Sequence, residues 1–149
     1  MLILILPEAL KTLFLILGTV MISITLLIGN IHSSSTSYPN ITTKFNVDKM
    51  SSYNEDDLFA SVTLKKFYVI GVTTDNVNQY RLVLTPKPNS NQYFYMTTSK
   101  HKKINVGHKI TVKGQLNGRL TIPDDKYNRQ LPSNVLNKNA TMVLVKSYK

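Results

Sequence analysis

Twenty consecutive uncharged residues, TLFLILGTVMISITLLIGNI at positions 12–31, constrain this chain more than any other feature. At about 1.5 Å rise per residue, such a run makes a helix of roughly 30 Å, the depth of a bilayer's hydrocarbon core. Gly18 and Gly29 are tolerated in such a helix, and Thr19, Ser23 and Thr25 can hydrogen-bond back onto it. A buried core helix is the competing reading, but no other segment has the helical apolar period needed to surround it. The run therefore predicts a transmembrane signal anchor. Lys11 precedes the span, and the next Lys or Arg after it is Lys44. The positive-inside rule then puts residues 1–11 in the cytoplasm and everything after the span outside the cell membrane. The run is longer than a usual signal-peptide core and no Ala-x-Ala site follows it, although Ser33, Ser34 and Ser35 leave cleavage and secretion as the alternative.

Composition changes at once after the span. Residues 32–53 are rich in Ser, Thr and Asn and show no apolar period, which reads as a flexible, solvated linker. Two glycosylation triplets begin at Asn40 and Asn139, a frequent coincidence in so Asn- and Thr-rich a chain. Ser52 to Glu55 fits a capping box, so a turn or two of helix is expected over 54–60, with Asp56 and Asp57 suited to its first turn. These acids lack the alternate spacing and turn glycine of a calcium loop.

The remainder, 54–149, reads as one all-β domain. Strands are expected at 62–73 (VTLKKFYVIGVT), 79–85 (QYRLVLT), 92–98 (QYFYMTT), 109–116 (KITVKGQL) and 141–148 (TMVLVKSY). Asn117-Gly118 is a two-residue turn signal, which would fold 119–122 back as a hairpin arm. Residues 123–139 have no period and read as a long loop. In the first strand the alternation fails: Phe67, Tyr68, Val69 and Ile70 are consecutive, and Gly71 follows. A long strand that bends at a glycine and serves both halves of a small closed barrel has this signature. Five strands and a long excursion before the last favour a barrel over a sandwich. Leu82, Ile110, Val112 and Leu144 are expected in its core.

The segment Val106-Gly107-His108-Lys109-Ile110-Thr111-Val112-Lys113-Gly114 resembles the approach to and course of the fourth strand in OB-fold domains. Val69-Ile70-Gly71-Val72 resembles their first-strand pattern. The likeness covers residues 58–148, and in style it is similar to membrane-anchored, exported OB domains of the tRNA-anticodon-binding-like group. The resemblance implies a five-stranded OB-like barrel and implies nothing about tRNA outside the cell. The haem chaperones of cytochrome c maturation share the architecture of one N-terminal helix before an exported barrel. Their haem-attaching His lies near the C-terminus, and this chain has no histidine after His108.

The residues argue against catalysis. There is no cysteine, which excludes disulfides, thiolate metal sites and Cys nucleophiles. No Gly-x-Ser-x-Gly, phosphate-binding glycine loop or His-Glu-x-x-His is present. Asp124 and Asp125 are adjacent turn residues beside Lys126 and Arg129, and His101 and His108 have no third partner for a metal. No cofactor is expected, and the domain reads as a binding module. OB folds bind on the face of strands two and three. Alternation puts Tyr80, Leu82 and Leu84 on one face of the second strand and Arg81, Val83 and Thr85 on the other. With Phe94 and Met96 inward, Tyr93 and Tyr95 join Arg81 outside, and Lys100, Lys102 and Lys103 follow. Tyrosines stack bases or sugars, and lysines neutralise an acidic backbone. The eighteen Lys and Arg outnumber the eight Asp and Glu, leaving +10 spread diffusely over the chain. That charge suits an acidic polymer: a wall polymer, anionic lipid or single-stranded nucleic acid. The alternative is an adaptor subunit of a cell-envelope or secretion complex, working through protein–protein contacts.

Overall fold

The computed structural model describes residues 36–149, and the span expected at 12–31 lies outside the described residues. Among the described residues no helix is long and apolar enough to cross a membrane. The described chain is all-β. Five strands, β1 (Ser61–Thr74), β2 (Gln79–Thr85), β3 (Tyr93–Ser99), β4 (Lys109–Thr121) and β5 (Asn139–Tyr148), close a barrel in the order β1-β2-β3-β5-β4. Neighbours run antiparallel except β3 and β5, which are parallel.

The failed alternation in β1 has its physical cause in two bulges. One extra residue opposes β4 between Leu64 and Phe67, and another opposes β2 between Val69 and Gly71. Each bulge shifts the side-chain phase by one, so Val62 and Leu64, then Phe67 and Val69, then Val72 all reach the same interior. Bent in this way, β1 pairs with β4 through its first half and with β2 through its second.

Several expectations are corrected. Asn117-Gly118 is not a hairpin turn. β4 runs on to Thr121 beside β5, and Gly118, at φ +77°, lies where the register shifts between Leu116 and Arg119. A glycine of positive φ serves a bulge as readily as a turn. Leu144 is not core but 40% exposed, because inward positions on β5 fall to Val143 and Val145. The expected solvated linker is, over residues 38–53, part of the domain. Ile41 and Tyr53 are buried in the barrel core, and Phe45, Val47 and Met50 pack against it. An aromatic chain carries this contact inward: the Phe45 and Tyr53 centroids are 5.1 Å apart, Tyr53 and Phe94 6.0 Å, and Phe94 and Phe67 5.2 Å. Short 3-10 turns at Ile41–Thr43 and Met50–Ser52 place these residues, so they need no regular period. Asn40 bridges to Thr63, whose amide donates to the Pro39 carbonyl at 2.7 Å, so the incoming chain covers the free edge of β1.

The helix expected at 54–60 is a single 3-10 turn, Glu55–Asp57, and its capping box is formed by Asn54 and Asp57. The stretch expected as a long loop, 123–139, is anchored as far as the start of β5 at Asn139. Leu131 and Val135 are buried with Val83, Tyr95, Ile122 and Ala140 in a second apolar cluster outside β2 and β3. Gly71 has its reason here. A Cβ on it would meet the Leu131 Cδ2 at 2.9 Å and the Pro132 Cδ at 3.1 Å, so its bare backbone lets the excursion lie close.

Candidate functional site

The strand phase predicted for β2 and β3 holds: Leu82, Leu84, Phe94 and Met96 face the barrel interior, and Arg81 and Tyr95 face out. The outward face, however, is not open. The excursion between β4 and β5 lies across it as a cap, and Tyr95 is only 6% exposed.

A polar latch pins this cap. The Arg81 Nη1 donates to the Tyr95 hydroxyl at 3.4 Å, and that hydroxyl donates to the Asn128 Oδ1 at 3.3 Å. The fully buried Asn128 donates from its amide side chain to the Pro123 carbonyl at 3.0 Å. Arg81 lies between two carboxylates, with Asp125 at 3.6 Å and Asp75 at 3.9 Å, and its guanidinium sits 4.9 Å from the Tyr127 ring centre. Asp125 also accepts from the Tyr127 and Asn128 amides, which fixes the turn that carries those side chains. Asp125, expected as a turn residue beside Lys126 and Arg129, is the counter-ion of Arg81. A cation and a phenol that looked free for a ligand are therefore already paired.

The six candidate residues thus separate into three groups. Arg81 and Tyr95 lie beneath the cap. Tyr93 is half-buried and packs against the outer cluster beside Ile70. Lys100, Lys102 and Lys103 are exposed on the β3–β4 loop, around a cavity of about 610 Å³ shared with the β1–β2 turn. Among the described residues no acidic side chain lines this cavity. Tyr80 forms part of its wall, and the Lys100 ammonium lies 5.3 Å from that ring's centre, within cation–π range.

Tyr148 positions the lysine loop, a role the sequence does not signal. Its hydroxyl accepts from the His101 amide at 2.9 Å and the Lys102 amide at 3.1 Å, and faces the Ser99 carbonyl at 3.2 Å. The imidazole of His101 stacks on the Tyr148 ring with centroids 6.2 Å apart. Contacts across more than forty residues leave no local pattern to read. Among the described residues no group of three or more His, Cys, Asp or Glu could hold a metal ion.

No protein-family model, no curated protein and no solved structure matches this chain.

Proposed function

We propose that the chain is a membrane-tethered, extracytoplasmic and non-catalytic OB-type module that binds an acidic polymer at the lysine-ringed cavity. The cavity carries the reading: Lys100, Lys102 and Lys103 line one side of a recess of about 610 Å³ that, among the described residues, is bordered by no carboxylate. Support for the OB assignment comes from the strand order β1-β2-β3-β5-β4 with its single parallel pair. The apolar run at 12–31 supports the tether.

The usual OB ligand face is occupied by the chain's own cap, so Tyr95 is not available for base stacking. This favours a polymer recognised by its phosphates alone, such as a polyol-phosphate wall polymer, over single-stranded nucleic acid. The test is titration of the protein with polyglycerol phosphate and with single-stranded DNA at two salt concentrations. Lys102→Ala with Lys103→Ala should flatten the log–log salt dependence by roughly one to two units, the loss of two phosphate contacts. Tyr95→Phe should leave both affinity and slope unchanged. Absence of binding at low salt, or an unchanged slope in the double variant, defeats the reading. The adaptor alternative is supported by one separate observation, the exposed apolar pair Leu58 and Phe59.

A further inference from the structure

A second cavity, of about 620 Å³, lies over the Gly118 bulge of β4, walled by Tyr53, Leu58, Leu116, Glu55 and Arg119. Its rim differs from the rest of this basic chain. Three of the eight acidic residues, Glu55, Asp56 and Asp57, stand together here. Three acids elsewhere are already engaged: Asp48 pairs with Lys87 at 2.7 Å, and Asp75 and Asp125 flank Arg81. Among the described residues Glu55, Asp56 and Arg119 make no ion pair, although Glu55 and Arg119 line the same cavity.

Beside the cavity stands a large apolar projection. Phe59 is 59% exposed and its neighbour Leu58 43%. The backbone of Phe59 is left-handed at φ +63°, held by its amide donating to the Leu116 carbonyl at 2.7 Å. That conformation is costly for an aromatic residue, and here it presents the ring to solvent rather than to the core.

We propose that this face is a homodimer interface, in which the Leu58–Phe59 corner of one copy enters the cavity of a second copy of this chain. A projection and a recess side by side on one surface are what a two-fold, self-complementary contact requires. The charges are self-complementary too, since Glu55 of each copy meets Arg119 of the other across the axis. For two molecules of charge +10, this acid-bearing rim is where approach meets least repulsion. Pairing also presents two lysine-ringed cavities together, which raises avidity for a repeating polymer, although the dimer does not depend on that polymer.

The test is sedimentation of the detergent-solubilised full chain over a concentration series, with circular dichroism as the check on folding. The wild type should show a monomer–dimer equilibrium. Phe59→Gly removes the ring and relieves the left-handed backbone, so dimerisation should weaken on the order of thirtyfold while the thermal midpoint does not fall. Glu55→Arg and Arg119→Glu should each be monomeric alone and should pair when mixed, because the mixture restores both opposite-charge contacts. A wild type that stays monomeric overturns the proposal and leaves the cavity to a different partner. A dimer insensitive to Phe59→Gly, or single-charge variants that fail to pair on mixing, overturns it as well.

Discussion

The barrel interior and the layer outside β2 and β3 are both buried, and they are held by different means. The interior is mostly aromatic and branched aliphatic, with Phe94, Leu64, Leu82 and Val112 fully buried and contributed by four different strands. Every strand and the 38–53 segment supply it, so no part of it can be lost alone. The outer layer has fewer apolar members, and its lid, residues 123–138, is an irregular segment. A polar latch from Arg81 through Tyr95 to Asn128, with Asp125 closing it, supplements that layer. Apolar burial scales with area and needs no partner geometry, whereas the latch depends on a few hydrogen bonds worth about 0.5–1.5 kcal/mol each. One region should therefore unfold with the whole domain, and the other should be able to open by itself.

The largest expected effect lies in the interior. Leu82→Ala should cost about 2–5 kcal/mol in urea unfolding, a large share of a small domain's stability, while Leu144→Ala on the exposed side of β5 should cost under about 0.5 kcal/mol. Equal losses would mean that β5 is in the wrong phase.

An intermediate effect belongs to the cap. Asn128→Ala, which leaves the Tyr95 hydroxyl and the Pro123 carbonyl without their partner, should cost less than the interior change, about 1–3 kcal/mol, and adding Leu131→Ala should release the cap. Amide exchange should then accelerate at Leu131, Val135 and Asn137 without accelerating at Leu82 or Val112. The same double variant should uncover Arg81 and Tyr95, so binding of single-stranded DNA should strengthen relative to polyglycerol phosphate. Uniform acceleration through the barrel would show that cap and core are one cooperative unit.

The smallest effect sharpens the account of the interior. The Tyr53 hydroxyl is buried and finds no hydrogen-bond partner among the described residues, and burial, with the negative charge of Asp48 second, holds it protonated well above the ordinary phenol range. Tyr53→Phe should therefore be neutral or slightly stabilising at pH 7, because it removes only an unsatisfied polar atom. The folded state keeps this proton to higher pH than the unfolded chain. Its contribution is thus present below about pH 10 and is lost as pH rises beyond that, by up to about 1.4 kcal/mol per pH unit. The alkaline decline of the wild type should be shallower in Tyr53→Phe, and an identical decline would mean that the hydroxyl reaches water.

Legibility in the sequence followed periodicity. The alternation in β2 fixed which side of Leu82 and Arg81 faces inward, and the broken alternation at 67–70 marked a bent strand shared by two neighbours. Gly118 was legible as a residue of positive φ but not as bulge rather than turn, since that choice depends on which strand lies alongside. Ile41, Phe45 and Tyr53 went unread as core because 3-10 turns bury side chains at no fixed spacing. For the candidate site, the outward phase of Arg81 and Tyr95 was legible, but their cover by residues 123–138 was not.

From the sequence alone came the all-β class, the five strands, the absence of thiol chemistry, the excess of positive charge and the membrane-length apolar run, since each follows from local composition or local period. The tertiary structure alone decided that Tyr95 is sealed and Arg81 already paired, and that Lys100, Lys102 and Lys103 line a separate cavity on a loop held in place by Tyr148. It alone set Glu55 across a recess from Arg119. The reason is that exposure belongs to pairs of distant segments. Whether residue 95 meets water depends on where residues 123–138 come to rest, and that segment's own sequence carries no period to say so.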